Sequence, residues 1–165
     1  MQRFARLLDD GSGDLLIVCV DDPLSTPIPA HRAFLLGASE SLRTLLSLQT
    51  EGYGTSTYPD PAAHGSSRAT SRLLLHGVRG DTMRSVLRHI YTGHTHIDSS
   101  NALDLCLAAE KFGLEYLRES AELFMPRLLR DDNVAFVLTA AAECVRGVEW
   151  VAILFFYVFV YHSLT

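Results

Sequence analysis

Two neighbouring stretches of sequence decide the fold, residues 14–20, DLLIVCV, and residues 28–39, IPAHRAFLLGAS. The first has six consecutive apolar residues between aspartates and is rich in β-branched side chains, so it predicts a strand that is covered on both faces. Pro27 and Pro29 restrict the following backbone to extended geometry. Helical spacing then begins at Ala30. Together the two stretches predict a strand, an extended return and a helix.

The same stretches resemble the opening of a BTB/POZ domain. That family's pattern is Asp-Val, an apolar strand, Ala-His-Lys/Arg-x-x-Leu, Ser and Phe-Arg, and here residues 30–35 read AHRAFL and residues 38–46 read ASESLRTLL. In the second half, residues 90–93, IYTG, match the family's Tyr-Thr-Gly, and residues 107–114, LAAEKFGL, match its Ala-Ala-acidic helix. Several motifs in the same order are more specific than any one of them, and the resemblance covers residues 3–129.

The resemblance implies an α+β fold, a small β-sheet capped by a cluster of short α-helices, with one or two trailing helices. We divide the chain into a short leading helix and linker at residues 1–13, the BTB/POZ domain at 14–129 and the start of a helical extension at 130–147. An apolar tail at 148–165, a membrane anchor or a truncated end, lies beyond the resemblance. Within the domain, residues 49–71 have almost no aliphatic side chain to offset the entropy of ordering. We therefore predict that this insertion is disordered.

Composition narrows the class of protein. The 165-residue chain has a net charge of -5, with Lys111 as its single lysine beside 13 arginines, and it has no basic block, so nucleic-acid binding is not expected. Cys19, Cys106 and Cys144 each lie in an apolar stretch and are far apart in sequence. They predict reduced, packed thiols in a cytoplasmic or nuclear protein. The first residues lack the apolar run of a secretory signal, so export is not expected.

The sequence after the insertion predicts a second strand and then helices whose ends are marked by single residues. Asp81 is the predicted N-cap of the next helix, and Gly93 is its predicted C-terminal stop. Ser100 or Asn101 opens a further helix, which Gly113 ends.

The resemblance also implies which residues meet a partner. Phe4, Leu7 and Leu8 form the apolar face of the leading helix, which in this family packs on a partner chain at a dimer interface. A helix that lies on its own domain is the alternative. Asp14 and Arg32 match the aspartate and the basic residue of the family's charged pocket beside that interface. Their alternative is a structural pair of buried charges that neutralise each other.

Cullin-binding members of the family carry an apolar-x-Glu step just after the corresponding helix. Here Leu45, Leu48, Glu51 and Tyr91 are the residues expected to face a cullin. The step from Leu48 to Glu51 is one residue longer than in the family and is followed by the insertion, a departure from the pattern.

His31, Tyr91 and Gly93 are the residues of the family motifs, and we predict that His31 is a packed, hydrogen-bonded histidine instead of an acid or base. His94 and His96 alternate along an extended segment and could point to a metal ion, but no third ligand of suitable spacing lies nearby. Two polar loop histidines and no metal site are therefore expected.

The predicted activity is non-catalytic: a protein–protein interaction module that forms a homodimer, needs no cofactor and recruits an unknown protein substrate to a cullin-RING E3 ubiquitin ligase. No catalytic constellation can be assembled, since residues 37–41, GASES, lack the final glycine of a nucleophile elbow. One alternative is an oligomerisation domain of a transcriptional or scaffold protein without ligase binding. A tail-anchored membrane protein is the other, although residues 150–161 are twelve apolar residues and about 20 are needed to span a bilayer.

Overall fold

The computed structural model describes residues 2–50 and 71–124. These residues form three strands and six helices, which confirms the predicted α+β class. In chain order the elements are α1 (Gln2–Asp9), β1 (Leu15–Cys19), β2 (Ile28–Ala30), α2 (Arg32–Ala38), α3 (Glu40–Thr50), β3 (Ser71–Leu75), α4 (Gly80–Thr92), α5 (Ala102–Phe112) and α6 (Glu115–Glu122).

The predicted insertion is shorter than expected at both ends. Residues 49 and 50 belong to α3, and residue 71 begins β3. The rest of the insertion, residues 51–70, lies outside the described residues, as do the predicted helical extension at 130–147 and the apolar tail at 148–165. Those three assignments stay predictions.

The strands form one sheet in the order β2-β1-β3. β1 pairs antiparallel with β2, with Leu16 opposite Pro29, and parallel with β3, with Ile17 opposite Leu73. Pro29 is tolerated because β2 is an edge strand, where one missing backbone N–H need not break the pairing with β1. The apolar run at residues 15–20 therefore contains the central strand of the sheet.

β1 is buried on one face only. Leu15, Ile17 and Cys19 are buried, whereas Leu16 and Val18 are half-buried. Successive side chains of a strand point to opposite faces, and the described elements cover one face fully and the other in part. Among residues 2–50 and 71–124 the predicted cover is therefore complete on one face only, because a continuous apolar run does not reveal how many layers pack on it.

The core lies between this covered face and the helices. Its largest fully buried side chains include Met83 of α4 and Leu105 and Phe112 of α5. Cys19 and Cys106 are buried, which confirms the predicted packing of these two residues, and burial raises the pKa of Cys19. Cys144 lies outside the described residues.

Glycines end α4 and α5 as predicted. Gly93 has φ 82° and its backbone N–H donates to the carbonyl of His89 over 2.7 Å. Gly113 has φ 65° and closes α5 in the same left-handed conformation. Glycine adopts this conformation at little cost, whereas a side chain is strained there.

The predicted N-caps of α4 and α5 do not make capping hydrogen bonds in the structure. α4 begins at Gly80, so Asp81 lies in its first turn and is not the N-cap. Asp22, from the connection between β1 and β2, accepts a hydrogen bond from the N–H of Gly80 over 2.9 Å. Asn101 does precede α5, but its Oδ1 accepts from the N–H of Asp98 over 2.9 Å and makes no cap to α5. The N–H at the start of α4 is therefore paired by Asp22, which is distant in sequence, and not by Asp81 as the capping pattern predicted.

Candidate interaction surfaces

The C-terminal turn of α4 is bonded to the junction of β2 and α2. Tyr91 is 4% exposed, and its hydroxyl oxygen accepts a hydrogen bond from the backbone N–H of His31 over 2.7 Å. The same hydroxyl lies 2.9 Å from Nδ1 of His31. Burial raises the pKa of Tyr91, which favours the neutral hydroxyl at this contact. We call this contact the His31–Tyr91 junction.

A chain of hydrogen bonds extends the junction to the linker after α1. Ser12 Oγ lies 3.2 Å from Nε2 of His31 and donates to Asp10 Oδ1 over 2.6 Å. These Ser12 hydrogen bonds hold the pKa of Asp10 below its usual value. A carboxylate only accepts, so Ser12 gives its proton to Asp10 and accepts one from Nε2. This polarity is the reverse of a serine nucleophile facing a histidine base, and His31 is hydrogen-bonded as predicted, although half-buried.

Aromatic rings cover the junction. Phe34 of α2 stacks on Tyr91 with centroids 4.2 Å apart and planes at 11°. Phe4 of α1 meets Phe34 edge-on at 5.4 Å. Offset-stacked and edge-to-face pairs are favourable ring arrangements, so α1, α2 and α4 are held together at this point.

In the single chain, α1 packs against α4 of its own domain. Leu7 and Leu8 are half-buried against the core, whereas Phe4 is 49% exposed. This is the alternative that the sequence left open, a leading helix lying on its own domain. The dimer-interface assignment of Phe4, Leu7 and Leu8 stays a prediction, and Phe4 is the one of the three with most surface left to offer.

Asp14 and Arg32 meet through the backbone. Asp14 Oδ1 accepts a hydrogen bond from the N–H of Arg32 over 2.8 Å, at the first residue of α2. Asp14 is exposed, so the prediction that apolar neighbours bury this residue was wrong. A carboxylate at this position satisfies an N–H that the helix itself cannot pair and favours the positive end of the helix dipole. Asp14 thus positions α2, and the charged-pocket role stays a prediction.

The outer face of α3 presents apolar surface. Leu48 is 60% exposed and Leu45 is half-buried. A shallow depression surrounds them, lined also by Glu40, Ser41 and Thr44. Glu51 lies outside the described residues. The expectation that Tyr91 faces a cullin was wrong, because its ring and hydroxyl are both used inside the domain.

The sequence pattern of one protein family matches most of this chain. The BTB/POZ domain pattern covers residues 8–128. The chain belongs to the BTB/POZ domain family. Domains of this family are protein–protein interaction modules that commonly self-associate, and they are not known as enzymes.

Relatives of this BTB/POZ protein occur in plants and insects. Two BTB/POZ domain-containing proteins of Arabidopsis thaliana are 26% identical over 139 residues and 31% identical over 127, covering 79% and 76% of this chain. BTB/POZ domain-containing protein 9 of Drosophila melanogaster is 29% identical over 154 residues, or 85% of this chain. The chain spans only 51%, 39% and 19% of the lengths of these three relatives.

Solved structures show the same fold. The BTB domain of zebrafish PATZ1 matches with a TM-score of 0.54 and 17% identity, covering 75% of this chain and 86% of that domain. The BTB domain of human gigaxonin matches with a TM-score of 0.50 and 23% identity, covering 74% and 91%. At this level of identity the likeness shows the fold alone.

The loop histidines of the BTB/POZ domain are near a carboxylate but not in a metal-binding set. Nε2 of His96 lies 3.4 Å from Oδ2 of Asp98. Within residues 2–50 and 71–124, no three His, Cys, Asp or Glu side chains are grouped closely enough to hold a metal ion. In the same part of the chain, no helix combines the length and hydropathy needed to cross a bilayer.

Sequence reasoning missed one surface of the BTB/POZ domain. A groove between α1, β2 and α4 carries Arg84 and Arg88 on one side. The signal available in the sequence was the i, i+4 spacing of these arginines, which places them on one helix face. That spacing alone could not show that an apolar surface from two other elements lies beside them.

Proposed function

We propose that this BTB/POZ domain self-associates and acts as an adaptor that brings a protein substrate to a cullin-RING E3 ubiquitin ligase. The observation that carries the ligase half of the proposal is Leu48, 60% exposed on the outer face of α3. It lies where the cullin-binding members that this chain resembles carry their apolar-x-Glu step. An exposed leucine within a shallow depression can fill an apolar site on a partner helix.

Binding to a cullin tests the ligase half. Isothermal titration of the chain with the amino-terminal half of a cullin should give saturable binding. Leu48→Asp should weaken it by about tenfold or more, since a charge replaces a buried apolar contact at the centre of an interface. Leu24→Asp is the matched control, because Leu24 is 94% exposed in the connection between β1 and β2 and lies outside the α3 depression. No binding by the parent chain would refute the adaptor role.

Self-association is supported by Phe4 on α1. An aromatic side chain that is 49% exposed on a helix with its leucines turned inward leaves apolar surface for a second copy. A twofold interface would place the same patch on both chains. Light scattering of the parent chain at micromolar concentration should give a dimer, and Phe4→Asp should shift it toward monomer. A parent chain that is monomeric under these conditions would contradict the proposal.

An oligomerisation domain without ligase binding is the second candidate, since the exposed Phe4 is independent of the α3 face. A dimer that binds no cullin would assign this function. The cytoplasm or the nucleus is the proposed location, supported by Cys19 and Cys106, which are buried and not joined in a disulfide. Fluorescence microscopy of the tagged full chain tests the location.

A further inference from the structure

We infer that the groove between α1, β2 and α4, here called the basic groove, binds an acidic peptide segment of a partner protein. Its apolar surface comes from Leu8, Ile28, Pro29 and Leu87, and its cationic wall from Arg84 and Arg88. The groove encloses a volume of about 410 Å³, which lies within the range of about 300–1,000 Å³ found for ligand sites. It shares no lining residue with the depression on α3, and of the predicted dimer residues it contains Leu8 but not the exposed Phe4, so this inference goes beyond ligase recruitment and does not rest on the proposed dimer.

The charge of the groove comes from two arginines on one face of α4. Arg84 is fixed in place, since its Nη2 donates to Thr26 Oγ1 over 2.9 Å and its Nη1 lies 3.6 Å from Asp81 Oδ1. The guanidinium of Arg88 makes no hydrogen bond or ion pair to any of the described residues. Arginine stays protonated at all relevant pH values and pairs well with carboxylates. Arg88 therefore offers a permanent charge to a ligand.

Two aspartates among the described residues lie near the groove, and each has a partner. Asp81 lies beside Arg84, and the described residues that line the groove include no aspartate or glutamate. Asp98 accepts two hydrogen bonds from Ser100, over 2.8 and 2.6 Å, and lies 3.4 Å from His96. The chain as a whole has a net charge of -5, but the groove is locally positive. The groove is therefore complementary to a negatively charged segment of a partner.

The apolar part of the groove indicates which side chain the ligand carries next to its negative charge. Leu8 and Pro29 are half-buried, while Ile28 and Leu87 are buried beneath them. A bare anion would leave the Leu8 and Pro29 surfaces in water, whereas an aliphatic side chain next to a carboxylate would cover them. The occupant that fits both features is a peptide with an aliphatic residue beside acidic ones.

The edge of the sheet excludes one common mode of peptide binding. β2 is an edge strand, and Pro29 at its centre has no N–H to donate. A partner strand therefore cannot extend the sheet along β2 with a full ladder of hydrogen bonds. Recognition in the basic groove has to come from side chains, which makes it dependent on the charge and the aliphatic residue of the peptide.

Fluorescence polarisation with the full chain tests this inference. The probe is a labelled synthetic peptide of alternating Glu and Leu, compared with the same peptide carrying Gln for Glu and with one carrying Ser for Leu. The parent chain should bind the first peptide, more weakly as salt rises, and the other two at least about tenfold more weakly. Arg88→Glu should raise the dissociation constant of the first peptide about tenfold.

Arg43→Glu is the matched control, because Arg43 is an exposed arginine of α3 paired with Glu40 and lies outside the basic groove. It should leave peptide binding unchanged, as should Leu48→Asp, which separates this result from the cullin test. If Arg88→Glu does not give the parent's circular dichroism spectrum, Arg88→Gln replaces it.

Four results would overturn the inference: no binding of the acidic peptide by the parent chain, equal binding of the Gln peptide, equal loss from Arg43→Glu, or no loss from the Arg88 variant. A fifth is displacement of the peptide by an equal concentration of inorganic phosphate, which would assign a site for bare anions instead.

Discussion

The His31–Tyr91 junction and the outer face of α3 differ in how they use their side chains. At the junction, the Tyr91 hydroxyl is hydrogen-bonded to His31 and the Tyr91 ring stacks on Phe34, so both parts of the side chain are used within the chain. On α3, Leu48 leaves most of its surface in solvent. The comparison teaches that the motif residues that reveal the family are used to hold the fold together. The proposed cullin contact instead depends on a side chain that packing within the domain leaves exposed.

Removing the Tyr91 side chain should have the largest effect. Tyr91→Ala deletes a buried ring, its stack on Phe34 and its hydrogen bonds, so the free energy of unfolding should fall by about 3–5 kcal/mol. Urea unfolding followed by circular dichroism measures it. The matched control is Tyr116→Ala, at a tyrosine of α6 that is 80% exposed, with an expected change within about 0.5 kcal/mol. Equal effects of the two variants would contradict the contrast between the junction and exposed surfaces.

Removing only the hydroxyl separates packing from hydrogen bonding. Tyr91→Phe keeps the ring on Phe34 but leaves the backbone N–H of His31 without its acceptor, so a loss of about 1–3 kcal/mol in unfolding free energy is expected. Tyr116→Phe is the control in the same urea titration. A Tyr91→Phe protein as stable as the parent would show that water satisfies His31 equally well.

The end of α4 offers a test of backbone conformation next to the junction. At both Gly93 and Gly37 an added Cβ would meet no atom within 4 Å, but only Gly93 has positive φ. Gly93→Ala should cost about 1–2 kcal/mol of unfolding free energy, because a side chain is strained in the left-handed conformation. Gly37→Ala, inside α2, should instead gain about 0.5–1 kcal/mol. The two thermal melts should therefore shift in opposite directions, and shifts of the same sign would contradict the argument.

The smallest expected effect is the pH dependence of the linker. The folded pKa of Asp10 is lowered, chiefly by the Ser12 hydroxyl, so the unfolded state binds more protons. The contribution to stability is therefore present above the unfolded value of about 3.9 and is lost as pH falls through the folded pKa. Unfolding free energies measured from neutral to acidic pH should fall less steeply for Asp10→Asn than for the parent. Ser12→Ala should be intermediate, and a parent-like slope in both variants would exclude this contribution.

Much of the fold could be predicted from short sequence patterns. The apolar run of β1, the i, i+3, i+4 apolar residues of α1 (Phe4, Leu7 and Leu8) and the glycines that end α4 and α5 each act through neighbours in sequence. Such features follow from backbone geometry and local periodicity, which a sequence displays directly.

The candidate surfaces were predicted less well, because they depend on what other elements cover. Tyr91 carried a family motif and was expected at a partner surface, but α2 and β2 bury it. Asp14 was expected in a buried charge pair. It is instead exposed, and its carboxylate accepts a hydrogen bond from the N–H of Arg32, the first residue of α2. Arg88 lay within a predicted helix, and nothing in the sequence placed Pro29 beside it.

The sequence by itself determined the family, the α+β class and the order and ends of most elements, since these rest on local spacing and on motifs in sequence. The tertiary structure alone decided that one face of β1 is only half-buried among the described residues, that Asp22 accepts a hydrogen bond from Gly80 at the start of α4 and that α1, β2 and α4 enclose a basic groove. The physical reason is that burial and hydrogen-bond partners depend on distances between segments far apart in the chain, and a single sequence contains no such distances.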